Sequence, residues 1–219
     1  MAKRRLDQLL VDRGLAESRD PARRLIRAGG VQVNVNPLDS PHELEHQLSD
    51  AATDTIVIFA GSTPTLAQVV DNTPLEHVIV FDLDDLVGRG LPSPPPAEGL
   101  PGVIPFMHAL EQGAGMEFAA PDLYLDDLLF LQYTGGTTGL SKGAMLNHGN
   151  LLANIAQFEA VTRGVVEAGK EVVITAIPMY HIFALMVNTL CMFKLGGFNV
   201  LVTNPRDMES FVRTWAAAE

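Results

Sequence analysis

Two short runs of β-branched and aromatic residues, TIVIF (55–59) and HVIVF (77–81), stand with a helical pattern between them. Strands this apolar, with a helix between them, read as a βαβ unit with a parallel sheet. The chain is therefore predicted to be α/β. Just upstream, Ser40-Pro41-His42-Glu43 reads as a capping box that opens a helix over HELEHQLSD. The Ser40 hydroxyl takes a free amide of the first turn, Pro41 needs none, and Glu43 reaches back.

Residues 88–104 hold five prolines and four glycines and are predicted to be a loop. Beyond them the pattern resumes, with strands over DLLFLQY, GAMLNH, EVVITAI and FNVLVT. Helices are predicted over NLLANIAQFEAVT, HIFALMVNTLCMF and RDMESFVRTWAA. No internal repeat is visible. The apolar segment 182–193 is 12 residues long and contains Asn188, which makes it a buried helix and not a bilayer span.

The charge is divided unevenly. Residues 1–30 carry eight Lys/Arg against four Asp/Glu, a local +4 inside a total of −11, which leaves −15 for the rest. Opposite signs suit different partners, so a boundary is placed between a basic head and an acidic body. In the head, two short helices are expected, followed by VQVNV as a strand. Arg19, Arg23, Arg24 and Arg27 recur at helical spacing as a basic stripe. Cys191 is the single cysteine, which leaves no intrachain disulfide and no thiolate cluster and reads as packing. MAKRRLDQLL lacks the apolar core of a signal peptide, and a cytoplasmic location is expected.

The stretch LQYTGGTTGLSKGAML (131–146) carries the chemistry. It lies between two predicted strands. Amides freed by Gly135, Gly136 and Gly139, hydroxyls of Thr134, Thr137, Thr138 and Ser141, and the Lys142 ammonium form a donor set for a polyphosphate. Ser141 precedes Lys142 and Gly143 follows it, so the stretch is not a P-loop of the GxxxxGK[ST] type. A glycine-rich hairpin is the plainer alternative, although a hairpin gains nothing from so many hydroxyls. His148 and Asn150 after the stretch read as helix-start chemistry.

At these residues the chain resembles the acyl-adenylate-forming (AMP-binding) enzymes, and among them the bacterial long-chain fatty acid CoA ligases. YTGGTTGLSKGAMLNHGNL is similar to their phosphate loop. IPMYHIFAL (177–185) is similar to their next motif, and LGGFNVLVTNPRDM and NVNPLDSPHELEHQLSD to flanking segments. The resemblance covers about residues 35–219. It implies part of a large N-terminal domain of mostly parallel sheets flanked by helices. The implied reaction activates a long-chain carboxylate with ATP and Mg2+ to an acyl-adenylate and then to acyl-CoA, with coenzyme A as co-substrate. Thr134, Gly135, Gly136, Thr137, Thr138, Gly139, Ser141 and Lys142 would line the β and γ phosphates. Tyr180, His181 and Phe183 would wall the acyl and adenylate site, and Lys142, Thr137 and His181 would be catalytic. The metal ligands are left unassigned, and peripheral membrane contact is left open. A histidine before an apolar helix is otherwise a helix cap or a satisfied core group.

The family's later motifs are missing: the tyrosine-glycine-threonine-glutamate segment, the ribose aspartate and the small C-terminal domain. Asp39 stands where the long-chain enzymes usually have tyrosine. The chain is therefore expected to be a fragment, roughly the middle third of a ligase, weakly active or inactive. Residues 1–34 resemble the start of an S-four type RNA-binding domain of hemolysin-like ribosomal RNA methyltransferases, which implies a grip on structured RNA through the arginine stripe. The two resemblances meet at VQVN and VNVNP, as expected of a gene fusion, an assembly error or a deliberate chimera. The alternatives to a ligase lineage are an RNA-binding protein working through its head, or a stub whose cut sheet leaves apolar edges and prevents stable folding.

Overall fold

The computed structural model describes residues 30–85, 87–116, 122–136, 139–202 and 204–218. The two head helices and the arginine stripe lie outside the described residues. The chain divides into two compact units, one holding residues up to Leu123 together with Phe130–Ala144, the other Tyr124–Leu129 together with Met145 onward.

In the first unit, β2 (Thr55–Phe59), β3 (His77–Phe81) and β4 (Val103–Pro105) form a parallel sheet in that order. The βαβ expectation holds, with α2 (Thr63–Ala67) in the crossover. The predicted loop ends at Gly102, because Val103 and Ile104 pair with Val78 and Ile79. Thr63 fixes that loop from below: its buried hydroxyl donates to the Ala60 carbonyl at 2.6 Å and accepts from the Ala97 amide at 2.9 Å. Helix α1 (Pro41–Asp50) carries the capping box as read, with the Glu43 amide on Ser40 Oγ and the Ser40 amide on the Glu43 carboxylate. Leu44 and Leu48 of α1 join Ile56, Ile58, Val78 and Val80 in the core. Burial holds the Asp39 carboxyl above its usual range, opposed by the bond it accepts from Gln47 Nε2 at 2.7 Å.

A second sheet has the order β1 (Gln32–Asn34), β5 (Leu128–Gly136), β6 (Gly139–Asn147). β1 pairs in parallel with β5, Asn34 opposite Gln132, and the Asn34 Nδ2 donates to Gln132 Oε1 at 3.0 Å. The strand read at the end of the head is thus the neighbour of the strand that enters the glycine and threonine stretch. Helix α3 (Phe106–Ala114), which follows β4, has no counterpart in the sequence reading.

In the second unit, α4 (His148–Thr162) starts at a capping box made by Asn147 and Asn150. Lys194 pairs with Glu159 of α4 at 2.9 Å. Strands β7 (Val172–Thr175) and β8 (Phe198–Leu201) are parallel, and α6 (Met208–Ala216) closes the chain's pattern. The predicted buried helix is present, but after Ile182 and Phe183 it continues as a π-helix, Ala184–Cys191, before α5 (Met192–Leu195). The Met192 amide donates to Val187, five residues back. Competing donors account for the wider turn: Thr189 Oγ1 bonds the Ala184 carbonyl at 3.1 Å and Asn199 Nδ2 the Asn188 carbonyl at 2.7 Å. Side chains that enter the backbone ladder in this way shift its register. No described helix is long and apolar enough to cross a membrane.

Candidate functional site

Strand β5 runs through Thr134, Gly135 and Gly136, and β6 begins at Gly139. Thr137 and Thr138, between them, lie outside the described residues. Strands β5 and β6 are neighbours in one sheet, so the two form a hairpin, the plainer of the two sequence readings. A connection this short requires antiparallel neighbours. The β pattern continues through the glycines, so the three described ones are strand residues and not free turn backbone.

Strand geometry also sorts the donors. Successive side chains point to opposite faces. Tyr133 is buried and meets Gly143: a Cβ at residue 143 would lie 3.1 Å from the Tyr133 ring. Tyr133, Ser141 and Gly143 thus share one face, and Thr134 and Lys142 belong to the other. Ser141 and Lys142, grouped in the sequence reading, are separated by this alternation. The Ser141 hydroxyl is buried without a hydrogen-bond partner among the described residues. Thr134 and Lys142 are exposed, and the Lys142 side chain forms no hydrogen bond or ion pair among the described residues.

Three residues that sequence reasoning did not single out pack on the inward face. His46 of α1 bonds the Ser141 carbonyl through Nε2 at 2.9 Å, and its ring stands edge-on to Tyr133. The Tyr133 hydroxyl donates to Asp50 Oδ2 at 2.9 Å. Burial first, and the Asp50 carboxylate second, push the Tyr133 phenol well above its usual pKa. The i,i+4 spacing of His46 and Asp50 was the signal available in the sequence.

Tyr180, His181 and Phe183 lie in the second unit, at the entrance to the π-helix. His181 is exposed, and its Nδ1 accepts from the Phe183 amide at 3.2 Å. Its carbonyl accepts from Leu185 at 3.0 Å. In this contact the imidazole accepts at the start of the helix, so in the neutral ring Nε2 carries the proton. Phe183 is 51% exposed and Tyr180 half-buried. Cys191 is buried, and that burial raises its thiol pKa, in keeping with packing. Among the described residues, no group of three or more His, Cys, Asp or Glu is placed to hold a metal ion.

A model of the AMP-binding enzyme family matches residues 25–218, and a model of the S4 domain matches residues 4–44, so the two overlap over 25–44. The long-chain-fatty-acid–CoA ligase of Escherichia coli O6:H1 is 46% identical over 203 residues, covering 88% of this chain and 36% of the relative. The long-chain-fatty-acid-CoA ligase FadD1 from Archaeoglobus fulgidus superimposes with a TM-score of 0.61 at 25% identity, over 84% of this chain and 33% of that one. ATP-bound MatB from Rhodopseudomonas palustris does so with 0.61 at 26%, over 94% and 40%. The chain spans about a third of the length of the curated relatives it matches. With an α/β fold of parallel sheets flanked by helices and a family match over nearly its whole length, the chain belongs to the AMP-binding enzyme family.

Proposed function

We propose that the β5–β6 hairpin binds the phosphates of ATP in the activation of a fatty carboxylate. The observation that carries this is an exposed lysine, its side chain without a partner among the described residues, on the same sheet face as an exposed threonine. An ammonium and a hydroxyl presented on one face suit an anion rich in acceptor oxygens. Thr134 and Lys142 would hold the phosphates from the strands, with Thr137, Thr138 and the glycine amides at the turn. The relatives support the reaction class, since they are long-chain-fatty-acid–CoA ligases and one neighbour was solved with ATP bound. When bound, ATP supplies the adenylyl group that turns the carboxylate into an acyl-adenylate, releasing pyrophosphate, and coenzyme A then displaces AMP as the thioester forms. This chain's residues neutralise and orient the phosphates. Mg2+ would come with the nucleotide. Tyr180, His181 and Phe183 are assigned to the acyl and adenylate wall, His181 with its imidazole accepting at the start of the helix.

Titration of the purified chain with inorganic triphosphate is expected to show binding that weakens about tenfold in Lys142→Ala, equal to about 1.4 kcal/mol. Fatty-acid-dependent ATP–pyrophosphate exchange with palmitate, octanoate and acetate then reads the chemistry. Equal triphosphate affinity in the variant would remove the hairpin from the phosphate site.

The S4 match favours a second reading of residues 1–34, as a segment that binds structured RNA through Arg19, Arg23, Arg24 and Arg27. Binding is expected to weaken with rising salt, and to drop at least tenfold when Arg23, Arg24 and Arg27 are replaced by Ala. Salt-insensitive binding, or none, removes this reading.

A further inference from the structure

The hairpin is held on its inward face by a helix distant in sequence. His46 and Asp50 lie one turn apart on α1, and each reaches a different strand: His46 the Ser141 carbonyl on β6, Asp50 the Tyr133 hydroxyl on β5. A carbonyl only accepts, so the His46 contact requires a proton on Nε2. Across the planar trans peptide, fixing the Ser141 carbonyl also fixes the Lys142 amide, which points the opposite way. The Tyr133 ring, tied at its hydroxyl, in turn lies against Gly143, where there is no side chain to displace it. Lys142 is thus flanked by two residues whose positions α1 dictates.

We propose that His46 and Asp50 are positioning residues that clamp the hairpin and set the placement of Lys142 for anion binding. This rests on the hairpin being the phosphate site. The clamp explains why Ser141, although in the glycine and threonine stretch, turns its hydroxyl inward: its backbone is recruited to α1.

The test uses the full chain. In the wild type, nitrogen chemical shifts should report His46 protonated at Nε2; a neutral ring protonated at Nδ1 overturns the clamp. Without ligand, amide exchange at residues 141–143 should quicken about tenfold in His46→Ala and Asp50→Ala, while the β2–β3 amides keep their protection. His46→Gln and Asp50→Asn retain a donor and an acceptor at similar reach and should restore slow exchange. Inorganic triphosphate should bind about tenfold more weakly to the two alanine variants and within about twofold of wild type to the conservative ones. Faster exchange with unchanged triphosphate affinity would make the contacts purely structural and overturn the positioning role. A wild-type chain that binds no triphosphate fails the phosphate reading itself and takes the clamp's purpose with it. Should the alanine variants not fold, the tautomer and the two conservative variants still decide.

Discussion

Leu48→Ala is expected to destabilise the first unit by about 3 kcal/mol, within the range for emptying a leucine site in a packed core. Leu48 is 1% exposed and sits in one cluster with Leu44, Ile56, Ile58, Val78 and Val80. The rigid strands beneath it cannot collapse fully into the gap, so a cavity term adds to the lost transfer energy. The effect should reach the hairpin, because the same helix that buries Leu44 and Leu48 presents His46 and Asp50 on an adjoining stripe. Urea denaturation read by fluorescence or circular dichroism would measure it. A change under about 1 kcal/mol would mean that α1 is not anchored as described.

Gly102→Ala should be comparably severe, by a different route. Gly102 has φ +51°, and a Cβ there would lie 2.6 Å from the Glu76 carbonyl oxygen. Left-handed backbone disfavours alanine by about 1–2 kcal/mol, and a clash with main chain adds about as much again, giving about 3 kcal/mol. The carbonyl cannot retreat cheaply, since Glu76 leads directly into β3, the middle strand of its sheet. Gly99→Ala separates the two contributions. Its φ is +81°, but no atom lies within 4 Å of the added Cβ, so it should lose only the backbone part. Equal losses in the two variants would disprove the steric contribution.

What the sequence made legible was local. The capping box at Ser40 and Glu43 is a four-residue matter, and the β-branched runs of β2 and β3 announce strands by composition alone. The hairpin was less legible because glycine has no side chain with which to display alternation, so Gly135, Gly136 and Gly139 read as loop. The grouping of Ser141 with Lys142 followed the linear order of residues, whereas a strand sends neighbours to opposite faces. His46, Asp50 and Tyr133 could not be joined by reading along the chain, since their partners lie 95 and 83 residues away. The π-helix was hidden for a related reason: its register depends on Asn199, a donor on the next strand.

The pairing of β1 with β5 constrains the order in which the chain can fold. Three residues, Gln32–Asn34, find their ladder partners only at Phe130–Gln132. On a ribosome adding about 5–20 residues per second, β1 waits several seconds or longer for those partners. The α1 helix and the β2–β3 crossover can consolidate first, because their contacts are closer in sequence. During that interval the backbone donors and acceptors of β1 remain open to any other strand, so early aggregation of nascent chains should map to this edge.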